Sequence, residues 1–148
     1  MTSATARNLA KLKRLKELRL RAAEARHAAA GRAVRLCLAM EMDRQAGLEA
    51  SIEGADRTNR DRLKAIFSHP DDQALQNALA ASAYALTRME IDQAGQALDA
   101  ARGATREARL RLKQEQERLA HRMRDLEKLQ AVQTELDRQS AETASRTG

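Results

Sequence analysis

The chain has 148 residues, 43% of them apolar, 32% charged and 1% aromatic, with a net charge of +6. Its apolar residues are mostly Ala and Leu, its aromatics are Phe67 and Tyr84, and Val and Ile never cluster, so both a thick globular core and a β-sheet are excluded. No apolar run approaches the ~18 residues of a membrane span, Met1 to Ala10 has no apolar h-region of a secretory signal, and the lone Cys37 fits a reducing compartment.

The first predicted element is a helix over about residues 5–67. Leu15, Leu18, Ala22, Ala25, Ala29, Ala33, Leu36 and Met40 form a row of threes and fours, which lapses at Asp43–Arg44 and resumes at Leu48, Ile52 and Ala55. Leu9, Leu12 and Leu20 thicken its start. The one strong break is Ser68-His69-Pro70-Asp71-Asp72. Proline disfavours helix in the residue before it and suits the first position of a new one. A turn is therefore expected at 68–70, with Asp71 and Asp72 in the first turn of a second helix, where the positive dipole end favours them.

That second helix is expected over about 70–140. Leu75, Leu79, Ala83 and Leu86 open its apolar row, an Ala-rich passage follows, and Leu112, Leu119, Leu126 and Leu129, Leu136 close it at heptad spacing. Each helix should be about 95–105 Å long. The tail 140–148 lacks an apolar period and is expected to be flexible.

Folding the chain at 69–70 places residue i opposite about 139 − i. Ala22–Ala33 then meets Leu110 and Leu112, and the thin passage Ala94–Ala104 meets Leu36, Leu38, Met40 and Met42. Small residues against large ones suit interdigitated packing. A parallel dimer would stack each Ala stretch on its own copy. The fold class is therefore all-α, a single domain made of a long antiparallel two-helix coiled-coil hairpin, expected to be a monomer. A domain-swapped dimer stays open, because opening one short turn costs little. Gly31, Gly47, Gly54, Gly95 and Gly103 lie inside predicted helices, either at close helix approaches, in tolerated drift, or in a soft zone that lets the hairpin bend.

No catalytic, cofactor or metal site is expected. His27, His69 and His121 have no ligand-spaced neighbour, no phosphate-cradling Gly motif occurs, and a two-helix hairpin offers no enclosed pocket. Charge carries more. Residues 1–40 hold ten basic and two acidic side chains, residues 41–99 six and eleven, residues 100–148 eleven and eight. A hairpin brings the two basic ends together, at about +11 from +8 and +3. The run Lys11, Lys13, Arg14, Lys16, Arg19, Arg21 would then lie near Arg118, Arg122, Arg124 and Lys128. Three readings are open: a solvated helical face, a dock for an acidic protein, or a nucleic-acid surface. The last lacks stacking aromatics.

Two stretches, LAKLKRLKELR from Leu9 to Arg19 and RLRLKQEQERL from Arg109 to Leu119, give the chain a likeness in layout over its whole length. It resembles the stalk proteins of type III secretion systems, the SctO/YscO family, which are FliJ-like. The resemblance implies a non-enzymatic, cytoplasmic protein at the periphery of the inner-membrane secretion apparatus. Such a protein links the hexameric secretion ATPase to the membrane protein of the export gate, stimulates the ATPase, and binds secretion chaperones in some members. By position, the ATPase-contact candidates are Lys11, Lys13, Arg14, Lys16, Arg19, Arg122 and Arg124, and the gate-contact candidates are Phe67 and Tyr84. Flagellar members carry several tip-side aromatics where this chain has two, which favours an injectisome-type member. Reversing Lys13, Arg14 and Lys16 to Glu should leave helicity unchanged and remove the ATPase contact. The alternatives are a basic coiled-coil nucleic-acid-binding protein and a generic coiled-coil adaptor or chaperone.

Overall fold

The computed structural model describes residues 3–147, the side chain of Ala83 apart. It is an all-α helical hairpin: α1 runs Ser3–Ser68, α2 runs Gln73–Thr147, and no strand occurs among the described residues. No Pro and few β-branched residues fall within either stretch, which lets each helix propagate for many turns once nucleated. No helix is long and apolar enough to cross a membrane among the described residues.

The turn is His69–Asp72, longer and later than expected. Pro70 and Asp71 lie inside it, and Asp72 is the N-cap of α2: its Oδ1 accepts the Leu75 N–H at 2.9 Å. A capping carboxylate satisfies an otherwise orphaned N–H of the first turn, which outweighs placing Pro at the first helical position. The Gln76 side-chain amide donates to the carbonyls of His69 and Pro70 at 3.0 and 3.1 Å, clamping the turn to the helix it starts.

At its other end α2 continues past the expected stop near 140 to Thr147. Nothing between Ser140 and Thr147 breaks a helix, and the side chains support one. Arg138 grips both Glu135 oxygens at 2.7 and 3.1 Å and also reaches Glu142, while Thr143 and Thr147 donate to carbonyls one turn back. These hydrogen bonds, from Arg138 first and Gln139 second, hold the Glu135 carboxyl below its ordinary range. Gly148 lies outside the described residues, as does the Ala83 side chain assigned to the α2 row.

The hairpin comprises two units, one made of residues 1–33 and 109–148, the other of residues 34–108. In the terminal unit the helices are joined by Lys16 to Asp125 and Arg26 to Glu115, each at 3.8 Å. Both pairs number to 141, so residue i lies opposite 141 − i. The expected 139 − i is corrected by the longer turn. The α2 side of this seam is Leu112, Glu115, Leu119, Arg122, Leu126, Leu129 and Leu136, all buried or half-buried. Its leucine heptads are the ones the spacing marks.

The α1 side differs from expectation. Buried or half-buried there are Leu9, Lys13, Lys16, Leu20, Ala23, His27 and Ala30. Leu15, Leu18, Ala22, Ala25 and Ala29, the row expected to face α2, are exposed. A helix advances about 100° per residue, so a row one position out of step points well away from the partner helix. Lys13 and Lys16 are tolerated at the seam because their aliphatic stems cover apolar surface while the ammonium reaches the edge, as Lys16 does to Asp125.

In the second unit, residues 34–108, Leu98, Ala101, Thr105 and Ala55 are buried. Thr105 satisfies its hydroxyl on the Ala101 carbonyl at 3.0 Å. Arg102 reaches Glu41 at 3.8 Å and the Gln45 oxygen at 3.4 Å. The large residues expected to fill this Ala-rich passage do not: Leu36, Met40 and Met42 are exposed, and Leu38 is half-buried. Small faces small instead, leaving an open groove between Gly47 and Ser51 on α1 and Ala94 and Ala97 on α2. None of the helical glycines is needed for close approach. A Cβ at Gly31, Gly47, Gly54 or Gly95 would meet nothing within 4 Å, and at Gly103 only the flexible end of Arg106.

Candidate functional site

The terminal unit collects the basic charge. Residues 1–33 carry nine basic and two acidic side chains, and residues 109–148 nine and seven, a net +9. Antiparallel pairing of the two chain ends puts them on one body, and the acidic residues of α2 are largely spent within it. Asp125 sits between Lys16 at 3.8 Å and His121 at 3.5 Å. Glu115, itself buried, accepts from Arg118 at 2.9 Å and faces Arg26 at 3.8 Å. Glu135 and Glu142 are held by Arg138.

What remains is unneutralised basic charge. Of the seven expected contact residues, Lys11, Arg14, Arg19 and Arg124 are exposed, and no carboxylate among the described residues lies within ion-pair distance of them. Lys13, Lys16 and Arg122 are half-buried at the seam. Reversing Lys13 and Lys16 would therefore disturb the helix pairing, Lys16 most directly because a Glu there would confront Asp125. The clean reversal set is Lys11, Arg14 and Arg19.

The two aromatics lie in the other unit, Phe67 at the end of α1 and Tyr84 in the fourth turn of α2. They do not pack around the turn: Phe67 is 80% exposed and Tyr84 59%. Arg88 donates to the Tyr84 hydroxyl at 2.8 Å with its guanidinium 5.9 Å from the ring centroid, and this bond raises the Arg88 pKa above its ordinary value. Leu63, Leu75 and Leu86 are also exposed in this unit, so apolar and aromatic surface is displayed where the charge is not basic. Residues 34–108 carry nine basic and twelve acidic side chains.

Among the described residues no three His, Cys, Asp or Glu side chains are grouped to hold a metal ion. Cys37 is a free, half-buried seam residue. Sequence reasoning missed the exposed leucines of α1. The signal was present in their heptad spacing, but one helix cannot say whether a heptad faces its own hairpin partner or something else.

Comparison with protein-family models, with characterised proteins and with solved structures gives no match.

Proposed function

We propose that the chain is a non-enzymatic stalk of a type III protein secretion apparatus, coupling the hexameric secretion ATPase to the export gate and stimulating the ATPase. One observation carries it: the two ends of the chain belong to a single unit of net charge +9, on which Lys11, Arg14, Arg19 and Arg124 stand exposed with no ion-pair partner among the described residues. Such charge is suited to a ring lined with carboxylates, through electrostatic steering and a salt-sensitive contact. An asymmetric hairpin in a symmetric ring favours different nucleotide states in different subunits, which is how a protein without catalytic residues raises hydrolysis. The export-gate contact falls to Phe67 and Tyr84, since exposed aromatics are the residue type that anchors protein interfaces.

Nucleic acid is a weaker match for the same charge, because stacking platforms are missing from the basic unit and both aromatics belong to the other. The test is ATP hydrolysis by a purified hexameric secretion ATPase at increasing concentrations of the chain, in low and near-physiological salt. Stimulation should rise to a plateau, weaken with salt, and vanish in the Lys11→Glu, Arg14→Glu, Arg19→Glu variant while helicity is kept. An unchanged hydrolysis rate with the wild-type chain would sink the stalk reading. Duplex DNA binding at near-physiological salt would then favour a packaging role, and neither result a generic adaptor.

A further inference from the structure

We propose that the outer face of α1 in the terminal unit docks an acidic amphipathic helix of another protein. The proposal rests on the stalk reading only for which protein brings that helix.

Leu15, Leu18, Ala22, Ala25 and Ala29 are spaced three and four apart, the a and d positions of successive heptads, and all are exposed, Leu15 at 43% and Leu18 at 52%. At 100° per residue the stripe centres about 150° around α1 from its seam with α2, so α2 does not cover it. The Leu pair offers apolar area, and the three alanines let a second helix axis come close. The hairpin holds its own helices together without this stripe: Ala23 and Ala30 are buried one residue further along.

The rim decides the occupant. Arg14 and Arg21 border the stripe on one side, Arg19 and Arg26 on the other, all exposed. These are the positions that flank a coiled-coil seam and set partner choice. Arg26 is shared with Glu115, and Arg14, Arg19 and Arg21 have no carboxylate within ion-pair distance among the described residues. A second copy of the chain would bring arginine against arginine in either orientation. An incoming helix with Leu or Ala at its seam and Glu or Asp at its flanks would bury the stripe and neutralise both rims. Phosphate backbones would satisfy the arginines and leave the leucines useless. A lipid surface would gain little from a stripe that is mostly alanine and has no aromatic.

The test is fluorescence polarisation of the full chain against three labelled helical peptides. One has Leu and Ala at a and d with Glu at e and g, one replaces Glu by Lys, and one replaces Leu by Gln. The first should bind and the other two should be at least about tenfold weaker. The Leu15→Gln, Leu18→Gln variant should lose about tenfold for the first peptide with unchanged circular dichroism and melting temperature, and Arg14→Gln, Arg21→Gln should weaken it and flatten its salt dependence. Equal binding of the Lys peptide, indifference to the leucine variant, or a concentration-dependent dimer that this variant dissolves would each overturn the proposal. So would leucine-dependent binding to anionic phosphatidylserine vesicles or duplex DNA in preference to the peptide. ATPase stimulation that survives Leu15→Gln, Leu18→Gln would sink the dock and spare the stalk. Peptide binding without ATPase stimulation would do the reverse.

Discussion

Two rows of side chains run along different faces of the N-terminal part of α1, and they are the opposite of what a self-sufficient hairpin would choose. The inward row includes Lys13, Lys16 and His27 among Leu20, Ala23 and Ala30, whereas the outward row is Leu15, Leu18, Ala22, Ala25 and Ala29 with arginine at its borders. A helix that spends its polar residues on its own partner and displays its apolar ones is built for a second contact. Exposed apolar surface is common on any protein, but a contiguous heptad of it fenced by one sign of charge is the kind that marks an interaction site.

The largest expected effect contrasts the rows by truncation. Leu98→Ala and Leu129→Ala, at buried positions, should each cost about 2–3 kcal/mol in chemical denaturation. Leu15→Ala and Leu18→Ala should cost under about 0.5 kcal/mol in the isolated chain. Comparable losses for both pairs would mean that the displayed row is packed in solution, against a second copy or a different register.

A smaller effect concerns the buried carboxylate at the seam. Glu115→Ala leaves Arg26 and Arg118 without their partner, but both arginines are more than half exposed, so the loss should be only about 1 kcal/mol. Glu115→Leu should be neutral or stabilising by thermal melting, since an apolar residue of similar size removes the desolvation cost. A strong loss with Leu would show that the ion pair fixes the register.

The smallest effect has the opposite sign. Gly47→Ala and Gly95→Ala should each stabilise by about 0.5–1 kcal/mol, because neither new Cβ meets a neighbour and neither glycine has positive φ. If the stabilised double variant also stimulates the secretion ATPase less, the glycines are a soft zone used in coupling. Unchanged coupling would leave them as drift.

Much of the fold was legible because its determinants are local. A single proline near the middle of the chain and long Ala/Leu/Glu/Arg stretches on either side dictate two helices and a turn. The α2 leucines at 112, 119, 126, 129 and 136 read correctly as seam because no competing apolar row is available there. The α1 seam was not legible because two rows compete, and the more apolar one faces out. The turn adds to the difference: the Asp72 cap and the Gln76 clamp lengthen the loop, and the register is 141 − i where 139 − i was expected. A shift of that size lies below what periodicity can resolve. Of the candidate site, Lys11, Arg14, Arg19, Arg124, Phe67 and Tyr84 are exposed, whereas Lys13 and Lys16 fall on the α1 row that faces α2 and Arg122 sits among the α2 seam leucines.

The most direct test of this inside-out arrangement compares adjacent residues. In a Cys37→Ser background, Ala22→Cys and Ala23→Cys each place one thiol on α1, the first on the displayed row and the second at a site with 0% exposure. Under native conditions a maleimide should label Ala22→Cys at the rate of a free thiol and Ala23→Cys at least about tenfold more slowly, because labelling there waits for local opening. Fast labelling at 23 with protection at 22 would put the apolar heptad inside the hairpin and remove the basis for a docking face on α1.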